Sequence, residues 1–248
     1  MESVINKLIF NQNRVNEIKE VEFYLRVKGI AFHKKIMTHL GVDFNDPNSK
    51  IEWVKVSALL RYDKKLRDKI YIYLATLEEY IRAYLSNKYE NKPIQHFWRD
   101  GIKARSNVKT RILNGESIFE VLQSIEFGDL LKQIEIVPKE DIDEMFEFTD
   151  AIHQNLVAVK ELRNAVSHHV FLLDYKFRDC IVDGSKSCTL EHNLKNLRQL
   201  LPKDYRYGKN GKGGITGDII NCTFESKTGQ DKTNKIKMEL NQTDIIKL

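Results

Sequence analysis

Residues 51–89 carry an apolar stripe that returns at three- and four-residue steps: Val56, Leu59, Leu60, Leu66, Ile70, Leu74, Leu77, Ile81 and Leu85. That period belongs to an α-helix with one buried face. A helix of this length has to cover its stripe with other helices, so the chain is expected to be mainly α. The four prolines and the abundance of Leu, Ile, Lys and Glu point the same way. A content of 42% hydrophobic and 30% charged residues over 248 positions suits a globular chain with a real core.

The same periodicity predicts a helix over residues 17–40, built on Ile18, Val21, Leu25, Ile30, Ile36 and Leu40. Gly41 would stop it and Gly29 would break it. Asp63 could cap a restart inside the long tract. Shorter helices are expected near residues 117–125 and 127–136, and Pro138 followed by acidic residues reads as another helix start. Helical spacing then runs through Ile152, Leu156, Val159, Leu162, Val166 and Val170, and residues 190–201 form one more short helix ended by Pro202. Beyond Pro202 lie six of the twelve glycines, Gly208, Gly211, Gly213, Gly214, Gly217 and Gly229. Residues 219–224 and 236–240 alternate there as strands do. The expected organisation is a helical domain over residues 1–202 and a glycine-rich, partly β tail over 203–248, with a small β-hairpin or an irregular appendage.

Several function classes are excluded. No apolar run approaches the roughly 20 residues that span a bilayer, and the first residues lack the order of a secretory signal. Cys180, Cys188 and Cys222 form no CxxC and stand at no zinc-finger spacing. Reduced thiols in the cytoplasm are expected, with no structural metal and no cofactor. The Asn-x-Thr triplets at Asn221 and Asn241 are then coincidental. The segment from Gly208 to Gly214 is not a phosphate-binding loop, because Lys212 is followed by Gly213 rather than by Ser or Thr. No Gly-x-Ser-x-Gly, His-Glu-x-x-His or Cys/His nucleophile pattern occurs. His33, His39, His96 and His192 stand alone and read as ordinary surface or half-buried residues.

Charge is distributed unevenly although the net value is only +5. Residues 88–111 hold seven Lys/Arg against two acids, and residues 116–150 hold eleven acids against two lysines. In the basic stretch Lys92, Arg99, Lys103, Arg105, Lys109 and Arg111 alternate with Tyr89, Phe97 and Trp98. Cations for phosphates and rings for bases suit RNA. A solvated loop with its aromatics tucked inward is the other reading.

The chemistry concentrates in Glu161-Leu162-Arg163-Asn164-Ala165-Val166-Ser167-His168-His169. A guanidinium and an imidazole five residues apart supply a phosphate ligand and a group that exchanges protons near neutral pH. On a helix Asn164 and His168 share a face, whereas Arg163 and His168 diverge by roughly 140° unless the helix loosens. An Arg163 satisfied by Glu161, with a His at the edge of the core, is the competing reading.

The surroundings of this motif resemble the abortive-infection (Abi-like) family of bacterial phage-defence proteins, in the HEPN superfamily of helical RNA-cleaving domains. The resemblance rests on Tyr62-Asp63-Lys64-Lys65-Leu66-Arg67, on Leu77-Glu78-Glu79-Tyr80-Ile81-Arg82, on Phe127-Gly128, on Arg163-Asn164 through His168-His169, and on residues 197–205. These pieces occur in the family's order over residues 20–205. The chain departs from it with Val166-Ser167 ahead of the histidines and with the tail beyond Tyr207.

The resemblance implies a HEPN-like helical bundle and a metal-independent endoribonuclease, a toxin or phage-defence effector. His168 would act as general acid/base, Arg163 as the phosphate and transition-state ligand, and Asn164 as the orienting group. His169 and Ser167 could give support. One chain brings one such motif, so a homodimer with a composite site is expected, with RNA as substrate and a small RNA or an antitoxin as inhibitor. A non-cleaving RNA-binding module, or an antitoxin-like subunit, is the alternative.

Overall fold

The computed structural model describes residues 1–10, 14–90, 106–207 and 213–228. The chain is mainly helical, with twelve α-helices and two small sheets among the described residues. It divides into two compact units. The first comprises residues 1–69, 169–175 and 218–248, the second residues 70–168 and 176–217. No described helix is long and apolar enough to cross a membrane.

In the first unit, α1 (Glu2–Ile5) and β1 (Leu8–Ile9) lead to α2 (Arg14–Lys28) and α3 (Ile30–His39). Gly29 separates these two helices at φ 84°, a conformation that glycine adopts without a Cβ penalty. The expected break therefore falls at the expected residue. β2 (Ile51–Glu52) pairs in parallel with β1 and runs straight into α4 (Trp53–Tyr89). The Trp53 indole donates to Glu20 at 3.0 Å and so ties α4 to α2.

His33 is fully buried, against the expectation of a surface or half-buried position. Its Nδ1 donates to the Gly29 carbonyl at 2.9 Å, and burial lowers its pKa, so the ring is held neutral.

No restart occurs at Asp63. α4 is unbroken for 37 residues, and Asp63 is 1% exposed in its middle. Four residues on, the Arg67 side chain meets it as a buried ion pair along the helix. The other Asp63 oxygen accepts from the Leu172 N–H at 3.0 Å. Arg67 donates to the Val170 carbonyl at 3.3 Å. Together they hold residues 169–175 against α4, where Phe171 packs edge-on against Phe32 and His39.

The second unit contains α4 from Ile70 onward, α5 (Ser106–Leu113), α6 (Ile118–Ser124), α7 (Phe127–Ile134), α8 (Lys139–Met145) and α9 (Ile152–Ser167). A hairpin, β3 (Cys180–Val182) and β4 (Ser185–Ser187), precedes α10 (Leu190–Leu200) and α11 (Lys203–Tyr207). Arg82 is the internal strut of this unit. It pairs with Glu78 at 2.5 Å and donates to the carbonyls of Leu122 and of Ile125, the latter at 2.8 Å. Ser117 and Glu120 close a capping box at the start of α6. Asn155 clamps the hairpin to α9 by exchanging two hydrogen bonds with the Ile181 backbone, at 2.8 and 2.9 Å.

The hairpin lies at residues 180–187 rather than in the tail. Residues 219–224, whose alternation predicted a strand, belong to the helix α12 (Gly214–Thr228). Ile215, Ile219 and Cys222 are its buried positions, spaced by four and three residues as a helix requires. The second predicted strand, residues 236–240, lies outside the described residues. The three cysteines are free thiols, with Cys180 and Cys222 buried.

Burial pushes the Asp63 carboxyl above the usual carboxylate range even though Arg67 pulls it down. Desolvation thus outweighs the attraction, and breaking the pair is worse than replacing it. Asp63→Ala and Arg67→Ala should each cost about 3–5 kcal/mol. The double variant Asp63→Leu/Arg67→Met should lose clearly less than the two singles together, as read by urea unfolding. Additive losses would show that the pair does not act as a unit.

Candidate functional site

α9 stops at Ser167, not at Val170 as its periodicity predicted. His168 is the C-cap residue, and its N–H still closes a 2.9 Å bond to the Asn164 carbonyl. Its Cα therefore keeps the helical position one turn beyond Asn164, as expected for the shared face. His169 then turns the chain at φ 55°, in the left-handed region usually taken by glycine at this point of a helix end. Both histidines are exposed. The division between the two units falls between them.

His169 belongs to the first unit, and its Nδ1 lies 3.4 Å from Arg67 Nη1. Arginine is only a donor, so this contact is a hydrogen bond when the His169 proton sits on Nε2. The Tyr62–Arg67 segment thus supplies the anchor that holds the second histidine in its strained turn.

In the second unit, Arg163 and Asn164 line an open cleft of about 450 Å³. Its other wall is the start of α7: Glu126, Phe127, Gly128, Asp129 and Lys132. Lys160, one turn before Asn164, completes the lining. The first N–H groups of α7 lie outside the helical ladder, while Glu126 sets a carboxylate on the same wall. Lys132 is neutralised by Asp129 at 2.8 Å.

Arg163, Asn164 and Lys160 make no side-chain hydrogen bond or ion pair with another described residue, nor does His168. Glu161, the competing partner for Arg163, instead takes the Arg178 backbone N–H at 3.0 Å and its Nε at 3.4 Å. A cleft with two uncommitted cations and a helix N-terminus suits a phosphate oxygen. Ser167 is half-buried, and neither it nor His168 lines the cleft.

The six cations expected to bind RNA fare differently. Lys92, Arg99, Lys103 and Arg105 lie outside the described residues. Lys109 is exposed. Arg111 is engaged locally, with Glu116 at 3.2 Å and the Glu120 carbonyl at 3.0 Å.

Sequence reasoning missed Lys160, whose signal was available: it stands four residues before Asn164 on the same helical face. Gly128 explains its placement. The Lys160 Cε and Nζ both lie 3.0 Å from where a Cβ on residue 128 would stand. Among the described residues no group of three or more His, Cys, Asp or Glu is arranged to hold a metal ion. Comparison of the chain with protein-family models, curated proteins and solved structures finds no match.

Gly128 sits in the first turn of α7 with an ordinary backbone, and the atoms that crowd it are the far end of a flexible lysine. Gly128→Ala should therefore stabilise the fold by up to about 1 kcal/mol through helix propensity, measured by thermal or urea unfolding. A loss of stability would mean that Lys160 is fixed in place.

Proposed function

We propose that this chain is a metal-independent endoribonuclease of the HEPN type, an Abi-like effector whose RNA cleavage arrests growth in phage defence. The observation that carries the reading is Arg163: a permanent cation lining an open cleft beside Lys160, uncommitted to any described carboxylate. Asn164 shares the cleft, and His168 follows one turn later at the helix end.

The chemistry follows from these groups. His168 takes the proton from a ribose 2′-hydroxyl, whose oxygen attacks the adjacent phosphorus. Arg163 holds the phosphate oxygens as their charge grows, with Lys160 adding a second cation. The bond to the 5′-oxygen breaks and that oxygen takes a proton from a second imidazole. The products are a 2′,3′-cyclic phosphate and a 5′-hydroxyl. Asn164 orients His168 from one turn earlier. The second imidazole is His168 of another copy, so the working enzyme is a homodimer. A small RNA or an antitoxin restrains it.

Arg163→Ala and His168→Ala should each lower RNA cleavage by about a hundredfold or more with no shift in the unfolding midpoint. Cleavage should persist in EDTA and leave 2′,3′-cyclic ends. Full activity in either variant would remove that residue from the site. Salt-dependent RNA binding without cleavage at high protein concentration would instead make the chain a binding module.

A further inference from the structure

A second pocket of about 320 Å³ lies in the second unit and shares no residue with the Arg163 cleft. Its volume is at the lower end of the range for small-molecule sites, about 300–1,000 Å³. Two of its walls are exposed aromatic rings, Phe148 at 44% and Tyr207 at 52%. Each ring carries a guanidinium on one side, 5.5 Å from its centroid: Arg206 on Phe148 and Arg198 on Tyr207. A ring held this way keeps a stacking surface that tolerates any flat heterocycle.

The charge of the pocket is positive. Lys195, Arg198, Lys203 and Arg206 stand against Glu147 and Asp183 in its lining, and Lys195 is paired outside it with Glu191 at 2.8 Å. Glu147 is shared by two of the cations, Arg206 at 2.6 Å and Lys203 at 3.8 Å. Arg198 bonds the Thr216 hydroxyl at 3.4 Å and no described carboxylate.

The frame is rigid where it needs to be. Arg206 is 8% exposed, and its Nε donates to the Leu201 carbonyl at 2.6 Å while Nη1 holds Glu147. Gln199 from α10 reaches the Ile181 carbonyl of the hairpin at 3.3 Å, fixing the opposite wall. Exposed rings beside surplus cations form a chemistry that neither a simple anion nor an apolar ligand uses fully.

We propose that this pocket binds a nucleoside phosphate, its base stacked on Tyr207 or Phe148 and its phosphate held by Arg198 and Lys203. The nucleoside phosphate is either a free nucleotide or one residue of a single-stranded RNA. The inference does not rest on ribonuclease activity.

The test uses the full chain, 5′-AMP and ATP for the free source, and a labelled 2′-O-methyl RNA octamer for the strand. The octamer lacks the attacking hydroxyl, so cleavage cannot deplete it, and Arg163→Ala, which leaves this pocket intact, separates binding here from binding at the Arg163 cleft. Titrations by calorimetry and fluorescence anisotropy should show saturable binding of one source. Tyr207→Ala and Arg198→Ala should each weaken it about fivefold or more, with the unfolding midpoint unchanged. Binding of AMP or ATP assigns the free source, and binding of the octamer alone, weakened by Tyr207→Ala and Arg198→Ala, assigns the strand. Absence of binding by all three probes overturns the proposal. So does binding that Tyr207→Ala and Phe148→Ala both leave intact, because the rings would then contribute nothing.

Discussion

The first unit depends on one ion pair in a place where ions are costly. Asp63 and Arg67 are almost fully buried in the middle of α4, and desolvation outweighs attraction at the carboxyl. What the pair contributes is position. Both partners also bond residues 169–172: Asp63 the Leu172 N–H, Arg67 the Val170 carbonyl and the His169 ring. Apolar side chains of equal volume could fill the space but could not fix a backbone turn. His169 holds a left-handed conformation that glycine would adopt more cheaply, and such strain persists only where the surroundings over-determine it.

This anchoring explains how a histidine pair can end a helix and still be ordered. α9 ends at Ser167 with His168 as its C-cap, and His169 begins the turn in the first unit. The usual solution places glycine after the cap. Here an imidazole occupies that position, and a buried guanidinium from 102 residues earlier supports it. Tyr62–Arg67 and Arg163–His169 are distant in sequence. Within the first unit, Arg67 supports the turn at His169.

Periodicity made much of this legible. The long helix, the break at Gly29, α6 through α10 and the shared face of Asn164 and His168 all follow from spacing, caps and glycine chemistry. Other features lay below that signal. The hairpin strands are three residues each, too short to alternate visibly, although Asp183-Gly184 between them is a strong turn signature. In α12 the buried Ile215, Ile219 and Cys222 were obscured by glycines and by an alternation that suits a strand equally well. Asp63 read as a cap because a carboxylate inside a buried helical face is expected only when a partner is known. His33 was invisible for the same reason, since its partner is a backbone carbonyl.

Charge along the sequence is only part of the inventory. The basic and acidic stretches of residues 88–150 look like opposite poles, yet Lys88 and Arg111, two described cations of the first, are paired with acids of the second. Lys88 meets Asp141 and Glu144, and Arg111 meets Glu116. The acidic Glu147 binds Arg206 from another part of the chain. Each such pair removes a cation from the inventory available to a polyanion. What is left over among the described residues of this unit is therefore more telling than what is abundant. Lys160 and Arg163 on α9, and Arg198 on α10, are cations that line cavities and pair with no described carboxylate. A guanidinium that the fold leaves without a carboxylate keeps its planar fork available for the bidentate, charge-assisted hydrogen bonds that a phosphate accepts.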